Sequence, residues 1–89
     1  QNLQSIEFLD RLLTHLPPNN LHKKTETLWL KSILLTNIGD WKNAELSSKN
    51  TLVLSEKMFK QTHHPEWASW LAASYNQLGH ILHKTAKSQ

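Results

Sequence analysis

Cysteine is absent from the 89 residues of this chain. Because a disulfide or a thiolate metal site requires cysteine, neither can form within the chain. The sequence also contains no apolar stretch that approaches the roughly 18 residues a membrane-spanning helix needs. The lack of cysteine is compatible with a reducing compartment. We therefore expect a cytoplasmic location, or another reducing one, and no membrane partner.

Catalytic motifs are lacking as well. The sequence has no phosphate-binding G-x-x-x-x-G-K-[ST] loop, no H-E-x-x-H helix and no G-x-S-x-G elbow. Its carboxylates show no paired spacing that would suggest acid–base catalysis. His80 and His83 share a helix face, but a structural metal site wants four ligands, and His63 and His64 lie too far along the helix to join them. We predict no enzyme activity, no cofactor and no metal site.

Arginine occurs once, as Arg11, although scattered lysines bring the formal net charge to +3. A helix-turn-helix domain would need a short recognition helix rich in Arg, Lys, Asn or Gln, whereas the candidate helices here are long. A basic helical domain that binds nucleic acid is therefore the less favoured alternative.

Glycine and proline are scarce, at two and three residues, and no alternating run typical of a strand competes with the helical periodicity. The sequence predicts an all-α protein of about four helices. The segments are 4–16, from 21 or 25 to 38, from 40 or 41 to about 61, and 65–86. Pro17 and Pro18 end the first segment, and Pro65 fits the first position of the fourth.

Apolar residues recur at helical spacing in these segments and form the predicted core. The first segment contributes Ile6, Phe8, Leu9, Leu12, Leu13 and Leu16. The second is apolar over more than half its circumference, which predicts a central position, through Leu28, Trp29, Leu30, Ile33, Leu34, Leu35 and Ile38. The third has a small inward face near its start, at Ala44, Ser48 and Thr51. The fourth carries Trp67, Trp70, Leu71, Tyr75, Leu78, Ile81 and Leu82, of which we expect Trp67 to be partly exposed.

A tight hairpin is predicted between the second and third segments. Gly39 follows the second segment, where a left-handed residue commonly ends a helix, and glycine adopts that conformation without steric cost. Asp40 can then accept hydrogen bonds from the free amides of the third helix. The two helices should therefore be antiparallel neighbours.

This hairpin resembles the turn of a tetratricopeptide repeat, which pairs two antiparallel helices in each unit of about 34 residues. The residues that carry the resemblance are Gly39, Asp40, Trp41 and Ala44 in the turn, and Leu28, Ser32 and Leu35 in the first helix. The family fold would be a right-handed superhelix of stacked helical hairpins. The third helix departs from the pattern, with Ser48 and Thr51 where the family usually has an aromatic residue and an alanine.

The flanking segments are similar to half-repeats. Segment 4–16 resembles the second helix of a preceding repeat, through Ser5, Leu9, Leu12, Leu13 and Pro17. Segment 65–86 resembles the first helix of a following repeat, through Tyr75, Leu78, Gly79 and Leu82, and is most similar to the longer repeats of kinesin light chains. Residues 21–62 would be the one full repeat of a domain or fragment covering 1–89. Because glycine inside a helix costs ~1 kcal/mol relative to alanine, we expect a closely packed neighbouring helix at Gly79.

The resemblance implies a protein–protein interaction module, such as a scaffold or adaptor, that binds a peptide or a partner helix in a groove. The groove positions of the family fall on Trp29, Ile33, Asn37 (or its neighbour Thr36), Asn76, His80, His83 and Lys84. The implied ligand is an acidic or carboxylate-ended peptide. Because an isolated piece of such an array leaves apolar faces bare, we expect further repeats on each side or self-association. A non-repeat helical subunit of a larger assembly remains the alternative.

Overall fold

The computed structural model describes the backbone of residues 2–88 and the side chains of residues 3–86. Its four α-helices are α1 (Asn2–His15), α2 (Leu21–Asn37), α3 (Trp41–Thr62) and α4 (Pro65–Ser88). No strand occurs in this described range. The predictions of an all-α fold and of about four helices are confirmed.

The helices pack in chain order, and one additional contact joins the second to the fourth. α2 packs against α1 and α3, α3 packs against α4, and α2 also lies against α4. Among the described residues, α1 contacts no helix other than α2. The molecule is a slab with extents of 39 × 27 × 14 Å, with α2 touching every other helix. The central position predicted for the second segment is confirmed.

The turn between α2 and α3 has the geometry predicted for it. Gly39 has a φ of +80°, and its amide donates to the carbonyl of Thr36 at 3.1 Å. The amide of Asp40 donates to the carbonyl of Leu35 at 2.9 Å, which completes a Schellman motif. The carboxylate of Asp40 accepts from the amide of Asn43 at 3.3 Å and caps α3.

The turn between α3 and α4 contains a second left-handed residue, His63, with a φ of 56°. Its amide donates to the carbonyl of Phe59 at 2.8 Å, and so ends α3. α4 then begins at Pro65, with Glu66 in its first turn. A proline at this position loses no helical hydrogen bond, and the acidic residue suits the positive end of the helix dipole.

The core between the helices is unusually rich in small hydroxyl residues. Thr25, Thr27, Ser32, Ser47, Ser48, Thr51, Ser55 and Ser74 are all buried. Most of these hydroxyls donate to a carbonyl one turn earlier, as Thr25 does to Leu21 at 2.7 Å and Ser55 to Thr51 at 2.7 Å. Ser47 instead donates across to α2, to the carbonyl of Leu28 at 2.7 Å. Small side chains let the helix backbones approach, as predicted for the start of α3.

Three expectations about individual residues are wrong. Trp67 is buried, with 2% of its surface exposed, because the ring of His22 covers it. A Cβ added at Gly79 would meet nothing within 4 Å, so no helix packs closely there. The apolar stripes are also only partly covered. The predicted core residues that are exposed are Phe8 on α1 (63%), Leu30 and Ile38 on α2 (40% each), and Tyr75 and Leu82 on α4 (56% and 47%).

Candidate functional site

Aromatic contacts dock α4 beside α2 at one end of the surface that the two helices share. The rings of His22 and Trp67 stack with centroids 4.5 Å apart at an interplanar angle of 22°. His22 Nδ1 also lies 3.3 Å from a carboxylate oxygen of Glu66. Farther along, Trp29 meets Trp70 edge-on, with ring centroids 5.8 Å apart. Offset and edge-on ring pairs of this kind stabilise a contact beyond the area they bury.

A side-chain hydrogen bond joins the same two helices farther along. Gln77 Nε2 donates to Thr36 Oγ1 at 3.1 Å, and Thr36 Oγ1 in turn donates to the carbonyl of Ser32 at 2.8 Å. The two bonds use both the acceptor and the donor capacity of the hydroxyl. α2 and α4 are therefore held in one register by contacts spread along their length.

The predicted groove residues fall into two classes in the structure. Trp29 and Ile33 are half-buried on α2, but only Trp29 lies at the contact with α4, because Ile33 lines a cleft that α2 forms with α1. The exposed members are Asn37, Asn76, His80, His83 and Lys84. Asn37 directly follows Thr36 in α2, and Asn76 directly precedes Gln77 in α4. The Gln77–Thr36 hydrogen bond places the backbones of these two asparagines at the same level along the paired helices.

Trp29 is committed to packing rather than open to solvent. Its ring is edge-on to Trp70, and its indole Nε1 is buried without a hydrogen-bond partner. A buried donor without a partner costs on the order of 1–3 kcal/mol. Trp29 therefore forms the floor between the two helices, and the side chains that could contact a ligand lie mainly on α4.

Charge is distributed unevenly along this surface. The carboxylates of Glu26 and Glu66 lie at its N-terminal end, where Glu26 pairs with Lys23 at 2.9 Å and Glu66 lies against His22. The exposed predicted residues on α4 (Asn76, His80, His83 and Lys84) contain hydrogen-bond donors and no carboxylate. The C-terminal half of the surface is therefore suited to an acceptor or an anion.

Gln77 and His22 contribute to the contact between α2 and α4, and no sequence pattern indicated either residue. Both contact α2 or α4 through side chains that no apolar periodicity marks. The available signal was spacing: Trp70, Gln77 and Lys84 recur every seven residues, so they share one face of α4. The sequence does not show that this face of α4 contacts α2, because it does not show which helix lies beside α4.

A second concave surface lies between α1 and α2, on the far side of α2. This cleft of about 450 Å³ is lined mainly by apolar groups. Its lining residues are Gln4, Ser5, Phe8, Leu9, Leu30, Ile33 and Leu34. We refer to it as the α1–α2 cleft.

Two further findings concern metals and membranes. Within residues 2–88, no group of three or more His, Cys, Asp or Glu side chains is placed to hold a metal ion. None of the described helices is both long enough and apolar enough to cross a membrane.

Comparisons with protein-family models, with curated proteins and with solved structures found no match. The resemblance to the tetratricopeptide family therefore remains a prediction carried by the residues of the hairpin and of its flanking helices.

Proposed function

We propose that this chain is a protein-interaction module that binds a peptide segment or a partner helix along the α2–α4 surface. The proposal includes the stacking of its hairpins in the manner of tetratricopeptide repeats. The observation that supports it most is the direct docking of α4 beside α2 through the Trp29–Trp70 contact and the Gln77–Thr36 hydrogen bond. This docking lets exposed residues of two helices that are far apart in sequence contribute to one proposed ligand surface.

The chemistry of the strip favours a ligand that supplies acceptors. Asn76 contributes an amide, His80 and His83 contribute imidazoles, and Lys84 contributes an ammonium group. Hydrogen bonds from a charged donor to a carboxylate are roughly twice as strong as neutral ones. We therefore propose an acidic or carboxylate-ended peptide as the ligand class.

The mechanism is binding without chemistry. Because the contacts between α2 and α4 exist before any ligand arrives, little ordering of the protein would be needed on binding. Exposed charges at the rim contribute more to the association rate and its salt dependence than to affinity. We expect binding that weakens as salt is added.

The test uses a library of acidic peptides, each prepared with a free and with an amidated C-terminus, and fluorescence anisotropy as the readout. A variant carrying Asn76→Ala, His80→Ala and Lys84→Ala removes three of the four proposed donors. A control carrying Asn50→Ala and Lys57→Ala makes similar changes at exposed positions of α3.

The proposal expects that selected peptides bind the wild type and the α3 control and lose at least tenfold in affinity for the α4 variant. Amidation should also weaken peptides held through their C-terminus. Equal binding by the two variants would move the ligand to another face. The absence of any bound acidic peptide would contradict the proposed ligand class.

A further inference from the structure

A row of small and apolar residues on α4 faces solvent. It consists of Ala72, Tyr75, Gly79 and Leu82, which we call the α4 row. Tyr75 is 56% and Leu82 47% exposed, and the space beside Gly79 is empty to 4 Å. Their spacing of three, four and three residues places them along one side of the helix. The row therefore has the form of a helix-packing face without a helix on it.

A row with the same spacing occurs in α2, and the helix that packs on it indicates what kind of helix would fit the α4 row. Thr25, Leu28, Ser32 and Leu35 are separated by the same three, four and three residues, and all are buried or half-buried. This row packs on α3, since Leu28 accepts a hydrogen bond from Ser47 and Leu35 shares a buried cluster with Ala44. The α4 row is therefore suited to a helix that resembles α3.

The side of α1 that lines the α1–α2 cleft has the same residue spacing as that side of α3. On α3, the residues at and around the contact with α2 are Asn43, Ala44, Ser47 and Ser48. On α1, the α1–α2 cleft is lined by Gln4, Ser5, Phe8 and Leu9, which have identical spacing. Phe8, which corresponds to Ser47, is 63% exposed.

The residues of α2 that line the cleft also correspond to residues of α4. Leu30 and Leu34 line the cleft with a spacing of four residues. On α4, Gln77 and Ile81 have the same spacing, and Gln77 is bonded to α2 while Ile81 is fully buried. The cleft between α1 and α2 therefore corresponds to the space between α3 and α4 in which α2 packs. Among the described residues, no helix occupies the cleft.

We propose that α4 of one copy of this chain docks in the α1–α2 cleft of a second copy, with the α4 row against α1. The docking would follow the arrangement of α2 on α3, with Phe8 and Leu9 in the places of the smaller Ser47 and Ser48 and without the Ser47 hydrogen bond. Both halves of the contact belong to one chain, which is why a second copy is the partner that fits. Asp10 of α1 is already paired with Lys31 of α2 at 2.6 Å, so the fit rests on the repeated spacing of the two faces rather than on opposite charge.

The contact is head-to-tail, because it joins two different faces. Such a contact leaves a free cleft at one end and a free α4 row at the other, so copies continue to add and form an open chain unless the rotation between copies closes a ring. One helix seated in one cleft is a small interface, and small interfaces are characteristic of weak association. The assembly should therefore depend strongly on protein concentration.

The experiment measures weight-average mass by analytical ultracentrifugation from low micromolar to near-millimolar concentration. The wild type should pass the mass of a dimer without reaching a plateau. Phe8→Glu blocks the cleft and Leu82→Glu blocks the α4 row, and each variant alone should stay monomeric. An equimolar mixture of the two should form a 1:1 heterodimer that does not grow. Val53→Glu, at a 66% exposed position of α3, is the control and should behave as the wild type.

Circular dichroism checks that each variant remains helical, which we expect because all three positions are exposed. A wild type that stays monomeric throughout would overturn the proposal and leave both faces to a helix of another protein. A closed dimer, or self-association of either blocked variant alone, would also overturn it. Neither blocked position is among the proposed ligand-binding residues, so peptide binding along the α2–α4 surface can be tested separately on Phe8→Glu, which should stay monomeric.

Discussion

The same substitution, glycine to alanine, should have opposite effects at the two glycines of this chain. Gly39 has a φ of +80°, whereas Gly79 lies within α4 and has no left-handed backbone. At both positions, a new Cβ would meet nothing within 4 Å. Steric contact therefore does not distinguish the two positions. The backbone conformation alone determines whether the substitution raises or lowers the stability.

The magnitudes follow from that difference. Gly39→Ala places a Cβ on a left-handed residue, which costs roughly 1–2 kcal/mol. Alanine also lowers the entropy of the unfolded chain, which offsets about 0.4–1 kcal/mol of this cost. The net loss of stability at Gly39 should be about 1 kcal/mol. Gly79→Ala should raise stability by about 1 kcal/mol, the difference in helix propensity between the two residues.

The assay is thermal and urea unfolding followed by circular dichroism at low micromolar concentration, where self-association is minimal. For a domain of this size, the two variants should differ in Tm by roughly 10 °C. A loss of stability in Gly79→Ala would mean that a neighbouring helix meets the new Cβ, contrary to the structure. An unchanged Gly39→Ala would show that the hairpin does not need a left-handed residue.

The remaining predictions concern side chains at the helix contacts. Ser47→Ala removes the hydrogen bond from α3 to α2 and should lower the free energy of unfolding by about 1 kcal/mol in urea titrations. Ser48→Ala removes a fully buried hydroxyl that has no partner, so it should leave stability unchanged or raise it by about 1 kcal/mol. A loss in Ser48→Ala equal to that in Ser47→Ala would mean that Ser48 has an unseen partner. His22→Ala removes the stack on Trp67 and should cost about 1 kcal/mol, whereas His22→Phe keeps a stacked ring and should recover most of the loss. Equal unfolding midpoints for the two His22 variants would show that the stack does not hold α4 beside α2.

Most of the secondary structure could be predicted, because its signals are local. The glycine and aspartate of the α2–α3 turn act through bonds to residues within five positions of them. The start of α2 was left open between residues 21 and 25. The structure places it at Leu21, where Asn20 accepts from the amide of Lys23 and caps the helix. That cap is also a local signal, because an asparagine directly before a helical segment is a preferred N-cap residue.

The candidate site was less accessible to sequence reasoning. The family pattern places seven residues in a groove, and the structure leaves Trp29 and Ile33 half-buried while the other five are exposed. The hydrogen bond that aligns the two sides of the surface joins Thr36 to Gln77, which are 41 positions apart. A pairing over that distance has no periodic signature, because it depends on the angle at which the helices cross.

The sequence by itself determined that this protein is helical, where its helices begin and end to within about two residues at most ends, and that a tight turn joins α2 to α3. These features depend on backbone preferences and on hydrogen bonds within a few residues, which a short window contains. Only the tertiary structure decided which faces are covered. It buried Trp67 beneath His22 and left Tyr75, Gly79 and Leu82 in solvent, although all four residues lie on the same helix. The physical reason is that burial depends on which other helix occupies the adjacent space, and no local pattern specifies that neighbour.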